Sequence, residues 1–104
     1  MSRLRKVKFT QPEDLEHYHD QNKAELFELT LSLLEKHYSK HKCIKTVDIL
    51  EVEVENFPQI KYVSVLEKEW KICLNEIMGY SLSVENYEMS SRVRDLLEKI
   101  KNEK

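Results

Sequence analysis

Glycine is nearly missing from this chain of 104 residues: there is one, Gly79, and only two prolines, Pro12 and Pro58. So few break points favour long uninterrupted helices over a many-turned β fold. They also rule out a glycine-rich phosphate loop, which needs several glycines close together. Two cysteines, Cys43 and Cys73, stand 30 residues apart with no CxxC spacing. That spacing suits core-filling free thiols in a reducing cytoplasm and gives no disulfide framework. No apolar run approaches the length needed to span a bilayer. The basic N-terminal stretch Arg3–Phe9 lacks the apolar core and cleavage site of a signal peptide. The net charge of −2 gives no general bias toward nucleic acid. The expected location is the cytoplasm, with no membrane partner.

What is present is charge and apolar residue in helical alternation. A chain of this length makes a single domain, 1–104, with a real but marginal core. Residues 1–9 read as a basic arm or an edge strand. Residues 10–40 read as an N-terminal helix or helix pair. Thr10 suits its N-cap, Pro12 its first turn and Glu13 the capping-box position, while Asp20 could cap a second helix. Residues 41–58 form a variable middle segment. Within it, Leu50, Val52 and Val54 alternate with Glu51, Glu53 and Glu55, as in a strand with one acidic face. Val47, Leu50, Val54 and Phe57 fit helical spacing equally well. As a strand, its partner by charge is the basic segment, giving one short two-stranded ribbon of residues ~3–9 with ~48–55. From Lys61 the spacing of Val65, Leu66, Trp70, Cys73, Leu74, Ile77 and Met78 predicts a helix, with Gly79 suited to its C-cap. Ser83 then suits the cap of a last helix. The expected fold class is mainly α: a small helical bundle ending in a helical hairpin over 61–104.

The last helix carries the strongest functional signal. At about 100° per residue, Met89, Val93, Leu96, Leu97 and Ile100 share roughly a third of its circumference. Tyr87, Ser90, Ser91 and Arg94 form an adjoining strip. Two packings satisfy the strip: the serines let a foreign helix approach closely, or they let the strip pack on the N-terminal helix. In the first case Tyr87 is a rigid aromatic anchor and Arg94 pairs with a partner carboxylate.

The run Glu85-Asn86-Tyr87-Glu88-Met89-Ser90-Ser91-Arg92-Val93-Arg94-Asp95-Leu96-Leu97, preceded by Met78, Ser81 and Leu82, resembles the UVR motif. That motif is a helical hairpin found in excision-repair subunits B and C, in Clp ATPases and in activators of protein arginine kinases. The likeness covers about 30 residues. It departs from the family pattern in having serines at 90 and 91, where the motif has alanines, and Gly79-Tyr80 near the end of the first helix. The resemblance implies a protein–protein device, with Tyr87, Glu88, Ser90, Ser91, Arg94 and Asp95 as partner-binding residues. Its partner would be another helical-hairpin protein (a repair subunit, a Clp-type ATPase or its regulator) or a second copy. The chain lacks the CxxC zinc pairs of the kinase-activator members.

Other chemistry has little support. His37 and His41, with Cys43 near, and His17 with His19 complete no metal-site spacing, and Lys36, Lys40 and Lys42 would repel a cation. No metal, cofactor or catalytic residue is expected, and no enzymatic activity. Arg3, Arg5, Lys6 and Lys8, or Lys36, Lys40, Lys42 and Lys45, suit phosphate contacts, but the acids Asp48–Glu55 interrupt any continuous positive surface. Direct nucleic-acid binding is not expected. The alternative function is a small antitoxin, immunity or anti-activator protein that binds one partner through the acidic segment 48–55.

Overall fold

The computed structural model describes residues 5–11, 13–55 and 59–102. In chain order its elements are β1 (Arg5–Phe9), α1 (Asp14–Gln21), α2 (Lys23–His41), β2 (Val47–Val54), β3 (Lys61–Val65), a short 3-10 turn (Glu67–Glu69), α3 (Trp70–Ser83) and α4 (Tyr87–Asn102). The strands form one mixed sheet in the order β1-β2-β3, with β1 parallel and β3 antiparallel to β2. This corrects the mainly α expectation. Among the described residues the fold is α+β, with four helices and a three-stranded sheet in place of a bundle with a two-stranded ribbon.

The third strand is the source of the error. Val65, Leu66 and Trp70 match a helical stripe, yet Lys61-Tyr62-Val63-Ser64-Val65 also alternates and is β-branched at Val63 and Val65. Over five residues the two periods cannot be separated. The exposed edge of β2 settles the choice, because an unpaired strand there would leave a row of backbone groups without partners. The helix starts nine residues later than the sequence suggests, at Trp70. Glu69 makes the junction: its Oε1 accepts the backbone N–H of Leu66 at 3.1 Å.

Charge and hydropathy set the register of β1 and β2. Val7 pairs with Val52 and Phe9 with Val54, on the helix-covered face. Lys6 meets Glu51 and Lys8 meets Glu53 on the other face, so each glutamate has a cross-strand cation. A register shift between Asp48 and Leu50 inserts Ile49 as a bulge. Ile49 and Leu50 are therefore both buried in succession, which strict alternation forbids.

Residues 10–40 form two helices. The break falls at Asn22, whose backbone N–H and Nδ2 both donate to Tyr18 O at 3.0 Å; Asp20 does not cap α2. At the start of α1, the Asp14 carboxylate accepts from Thr10 Oγ1 at 3.0 Å and from the Gln11 N–H at 3.3 Å. The proposed role of Pro12 lies outside the described residues, as do residues 1–4 of the basic arm and the positions of Phe57 and Pro58.

The core lies between the sheet and the helices. Trp70, Leu74, Ile77 and Ser81 on α3 and Met89, Val93, Leu96 and Ile100 on α4 are buried at identical spacings of four, three and four residues. Two such stripes face each other as an antiparallel hairpin. Leu31 and Leu34 of α2 complete the centre, fully buried. Two buried polar groups pin this centre to its surroundings: Trp70 Nε1 donates to Lys45 O at 2.7 Å, and Tyr38 Oη to Lys99 O at 3.1 Å.

Candidate functional site

The turn between α3 and α4 is a Schellman closure. The Asn86 N–H donates to Ser81 O at 2.7 Å and the Glu85 N–H to Leu82 O at 3.2 Å, with Glu85 left-handed at φ 58°. Asn86 then starts α4, its Oδ1 accepting the Met89 N–H at 3.2 Å. α3 thus ends at Ser83, with Glu85 as the left-handed residue beyond its cap and Asn86 as the next cap, where the residues suggested Gly79 and Ser83 and the UVR resemblance implied a first helix running to about Leu82. Gly79 is an ordinary helical residue inside α3.

This turn sets the direction of every residue in the strip. Ser90 points inward: it is 8% exposed, and its Oγ lies 2.6 Å from the Oγ of the fully buried Ser81. The pair leads to a backbone acceptor whichever hydroxyl donates, Met78 O at 2.8 Å from Ser81 Oγ or Asn86 O at 3.2 Å from Ser90 Oγ. The two hydroxyls fill the narrow part of the α3–α4 contact, where larger side chains would push the helices apart. Tyr87 points outward and is 61% exposed. Glu88, Arg94 and Asp95 are exposed as well, and Ser91 is half-buried. Arg94 and Asp95 make no hydrogen bond or ion pair with a described residue. The strip is therefore divided, with Ser90 inside the hairpin and Tyr87, Ser91 and Arg94 along its solvent side.

Two further apolar residues join Tyr87 at the turn: Leu82 is 52% and Val84 50% exposed. Beside them an open groove of about 780 Å³ runs between α2 and the hairpin, with Leu29, Val84 and Met89 as apolar lining and Glu25 and Glu28 as acids. Tyr80 is held at its wall by the Phe27 ring, centroid to centroid 4.9 Å, and Lys23 Nζ lies about 6 Å from both rings.

Sequence reasoning singled out Arg94 and passed over its neighbour Arg92. Arg92 is the residue that ties α4 to α2. Its Nη1 donates to both Glu28 carboxylate oxygens at 2.7 Å, and its Nη2 to Glu35 Oε1 at 2.6 Å and Ser32 Oγ at 3.1 Å. Bonds to the two carboxylates hold its guanidinium well above the ordinary arginine range, Glu35 contributing most. The available signal was Glu28, Ser32 and Glu35 at i, i+4 and i+7, one polar face of α2 matched to a single cation.

The acidic segment faces polar and basic side chains of its own chain. Besides the Lys6 and Lys8 pairings, Ser64 Oγ donates to Asp48 Oδ1 at 2.5 Å and Tyr62 Oη to Glu51 Oε1 at 3.4 Å. Arg5 of the basic arm is engaged by Glu25 at 3.1 Å and donates to Tyr18 Oη at 3.0 Å.

His37 and His41 stack with ring centroids 4.5 Å apart, and His37 also meets the edge of Trp70 at 5.9 Å. Its Nε2 is buried without a partner among the described residues. Desolvation first, then the neighbouring His41 and Lys45, push the His37 pKa down. Among the described residues no group of three or more His, Cys, Asp or Glu side chains could hold a metal ion. Cys43 and Cys73 are free and half-buried, and burial, with Glu76 and Glu69 nearby, pushes the Cys73 thiol up to about 11. That thiol is protonated and unreactive at neutral pH. No helix among the described residues is long and apolar enough to cross a membrane.

In comparison with known proteins, no family model matches the chain, and neither a curated protein nor a solved structure matches it.

Proposed function

We propose that this protein is a non-enzymatic cytoplasmic adaptor or regulator that docks another helical hairpin through the outward side of α3–α4. The observation that carries the reading is the group of Leu82, Val84 and Tyr87, each at least half exposed at one hydrogen-bonded turn. Large apolar side chains grouped at one place on a surface mark an interaction site. The Schellman closure and the Asn86 cap tie the turn to both helices by hydrogen bonds, which lowers the ordering entropy to be lost on docking. Arg94 and Asp95 lie on the same helix for charge pairing at the rim. The UVR-like pattern of residues 85–97 supplies the partner class: a helical hairpin of a repair subunit, a Clp-type ATPase or its regulator. The acidic segment 48–55 is the weaker surface, since its carboxylates already face Lys6, Lys8, Tyr62 and Ser64.

The test is capture of such a hairpin-bearing subunit by the wild-type chain and by the Tyr87→Ala/Arg94→Glu variant. Both side chains are exposed, so the circular dichroism spectrum should stay unchanged while capture is lost. Undiminished capture by the variant, or loss of its helical signal, would remove the outward face of α4 as the docking surface.

A further inference from the structure

The helix layer covers the sheet unevenly. Leu50 of β2 and Val63 of β3 are cross-strand partners on one face, yet Leu50 is 3% exposed and Val63 39%. Where the cover stops there is a cavity of about 350 Å³, walled by Leu15, Glu16, His19 and Asp20 of α1 and by Leu50 and Val63. No residue beyond β3 lines it, so it opens toward the sheet edge. Glu16 and Asp20 are exposed. The Glu16 carboxylate bonds to no described residue, and that of Asp20 only approaches His19 Nδ1 at 3.9 Å.

The strand beside the cavity is open as well. Among the described residues β3 pairs with β2 alone, and no turn or loop backbone bond involves residues 61–65. The open row stops at Val65, because the Leu66 N–H and C=O are both taken by Glu69. A sheet edge of this kind is a template for an added strand, whose alternate side chains fill neighbouring pockets.

We infer that the β3 edge takes up an extended segment of another protein, with Lys or Arg on the side toward α1 and apolar residues on the other. Charge complementarity selects this occupant. α1 carries Asp14, Glu16 and Asp20 and no Lys or Arg. On the open face Asp48 and Glu51 lie beside Ser64 and Tyr62, so acids flank the edge on both sides. Lys61 shares the face of Val63, one cation against the two carboxylates of the cavity. The side chain that the added strand sets beside Val63 enters the cavity. Its aliphatic stem lies on Leu15, Leu50 and Val63, and its cationic head reaches Glu16 and Asp20. On the other face Tyr62, 51% exposed, takes an apolar cross-strand neighbour. The chain already follows this rule once, where basic β1 lies in register on acidic β2.

This surface is separate from the α3–α4 hairpin, so the two readings fail independently. The probe is a blocked peptide, Val-Thr-Val-Arg-Val-Thr-Val, titrated into the full-length chain and followed by backbone amide chemical shifts. The shifts should concentrate on residues 61–65 and 15–20, with a Kd below about 1 mM at low salt. Glu in place of the peptide's Arg should weaken binding about tenfold or more, and Glu16→Lys/Asp20→Lys should reverse that preference. The circular dichroism of this variant should match the wild type, since both positions are exposed. N-methylation of the peptide at either its odd or its even residues should abolish binding, because main-chain bonds hold an added strand. Tyr87→Ala/Arg94→Glu should leave the affinity unchanged. Absence of shifts at about 1 mM peptide, equal affinity for the Arg and Glu peptides, or binding that survives both N-methylated forms overturns the proposal. So does a chain that light scattering shows to be dimeric and whose β3 amides resist exchange before peptide is added, since a second copy then holds the edge.

Discussion

Replacing Arg92 by alanine should be the most damaging single change to a charged side chain in this protein. The side chain is 29% exposed, Glu35 34% and Glu28 49%, so the two arms of the clamp are not equal. Hydrogen bonds to charged groups contribute about 1.5–3 kcal/mol when shielded, whereas exposed ion pairs contribute about 0–1 kcal/mol. Discounting both arms for solvent access, the Glu35 arm is worth about 1–1.5 kcal/mol and the Glu28 arm about 0.5 kcal/mol. The expected loss is about 2 kcal/mol, or a fall in Tm of about 8–16 °C for a domain of this size. Arg92→Met keeps much of the aliphatic stem and separates lost packing from lost charge. Urea denaturation of Arg92→Ala, Glu35→Gln, Glu28→Gln and the two double variants completes the measurement. The cycle should give the larger coupling to Glu35. A loss below about 0.5 kcal/mol, inside the range of ordinary surface substitutions, or a larger coupling to Glu28, would refute the reasoning.

Three smaller effects follow from the same geometry. A Cβ built on Gly79 meets nothing within 4 Å, and the residue sits inside α3, so Gly79→Ala should raise stability by about 0.5–1 kcal/mol in thermal or urea unfolding. Glu85 holds φ 58° without glycine's freedom, and Glu85→Gly should relieve the left-handed strain for a net gain of about 0.5–1 kcal/mol, detectable as a higher urea midpoint. His37 binds its proton more weakly folded than unfolded, where its pKa is near 6.5. The unfolded state therefore takes up more protons as the pH drops, and the stability present above pH 6.5 should decline from there down toward the lower folded value. Unfolding free energies measured at pH 7.5, 6.5 and 5.5 should fall in that order, and His37→Gln should flatten the slope; an equal slope in the variant would assign the effect elsewhere.

Several features were legible in residues alone. The apolar stripe of α4 is one, because Met89, Val93, Leu96 and Ile100 keep helical spacing over three turns, long enough to exclude any other period. The β1 and β2 segments were legible in part, as a basic alternating run and an acidic one, but the first fitted an arm as well as a strand and the second a helix as well as a strand. The sheet they belong to was not legible, since β3 shares its apolar positions with a helical reading and only the open edge of β2 distinguishes them. Exposed and buried serines look alike in sequence. Ser90 and Ser91 are adjacent and identical, and their separation into a hairpin contact and a half-buried surface residue depends on where the Glu85–Asn86 turn aims the helix.

By itself, then, the amino-acid order determined the polar and apolar faces of the last helix and the opposite charges of the first two strands. Each of these is read within a single segment, over the few residues in which a period or a run of like charge shows. Only the tertiary structure decided that Lys61–Val65 is a strand, that Arg92 and not Arg94 fastens the last helix to α2, and that Tyr87 faces solvent while Ser90 does not. Each of those outcomes turns on groups far apart in the chain: Arg92 lies 57 residues from Glu35, and no local period records whether Arg92 or Arg94 will find a carboxylate across the fold.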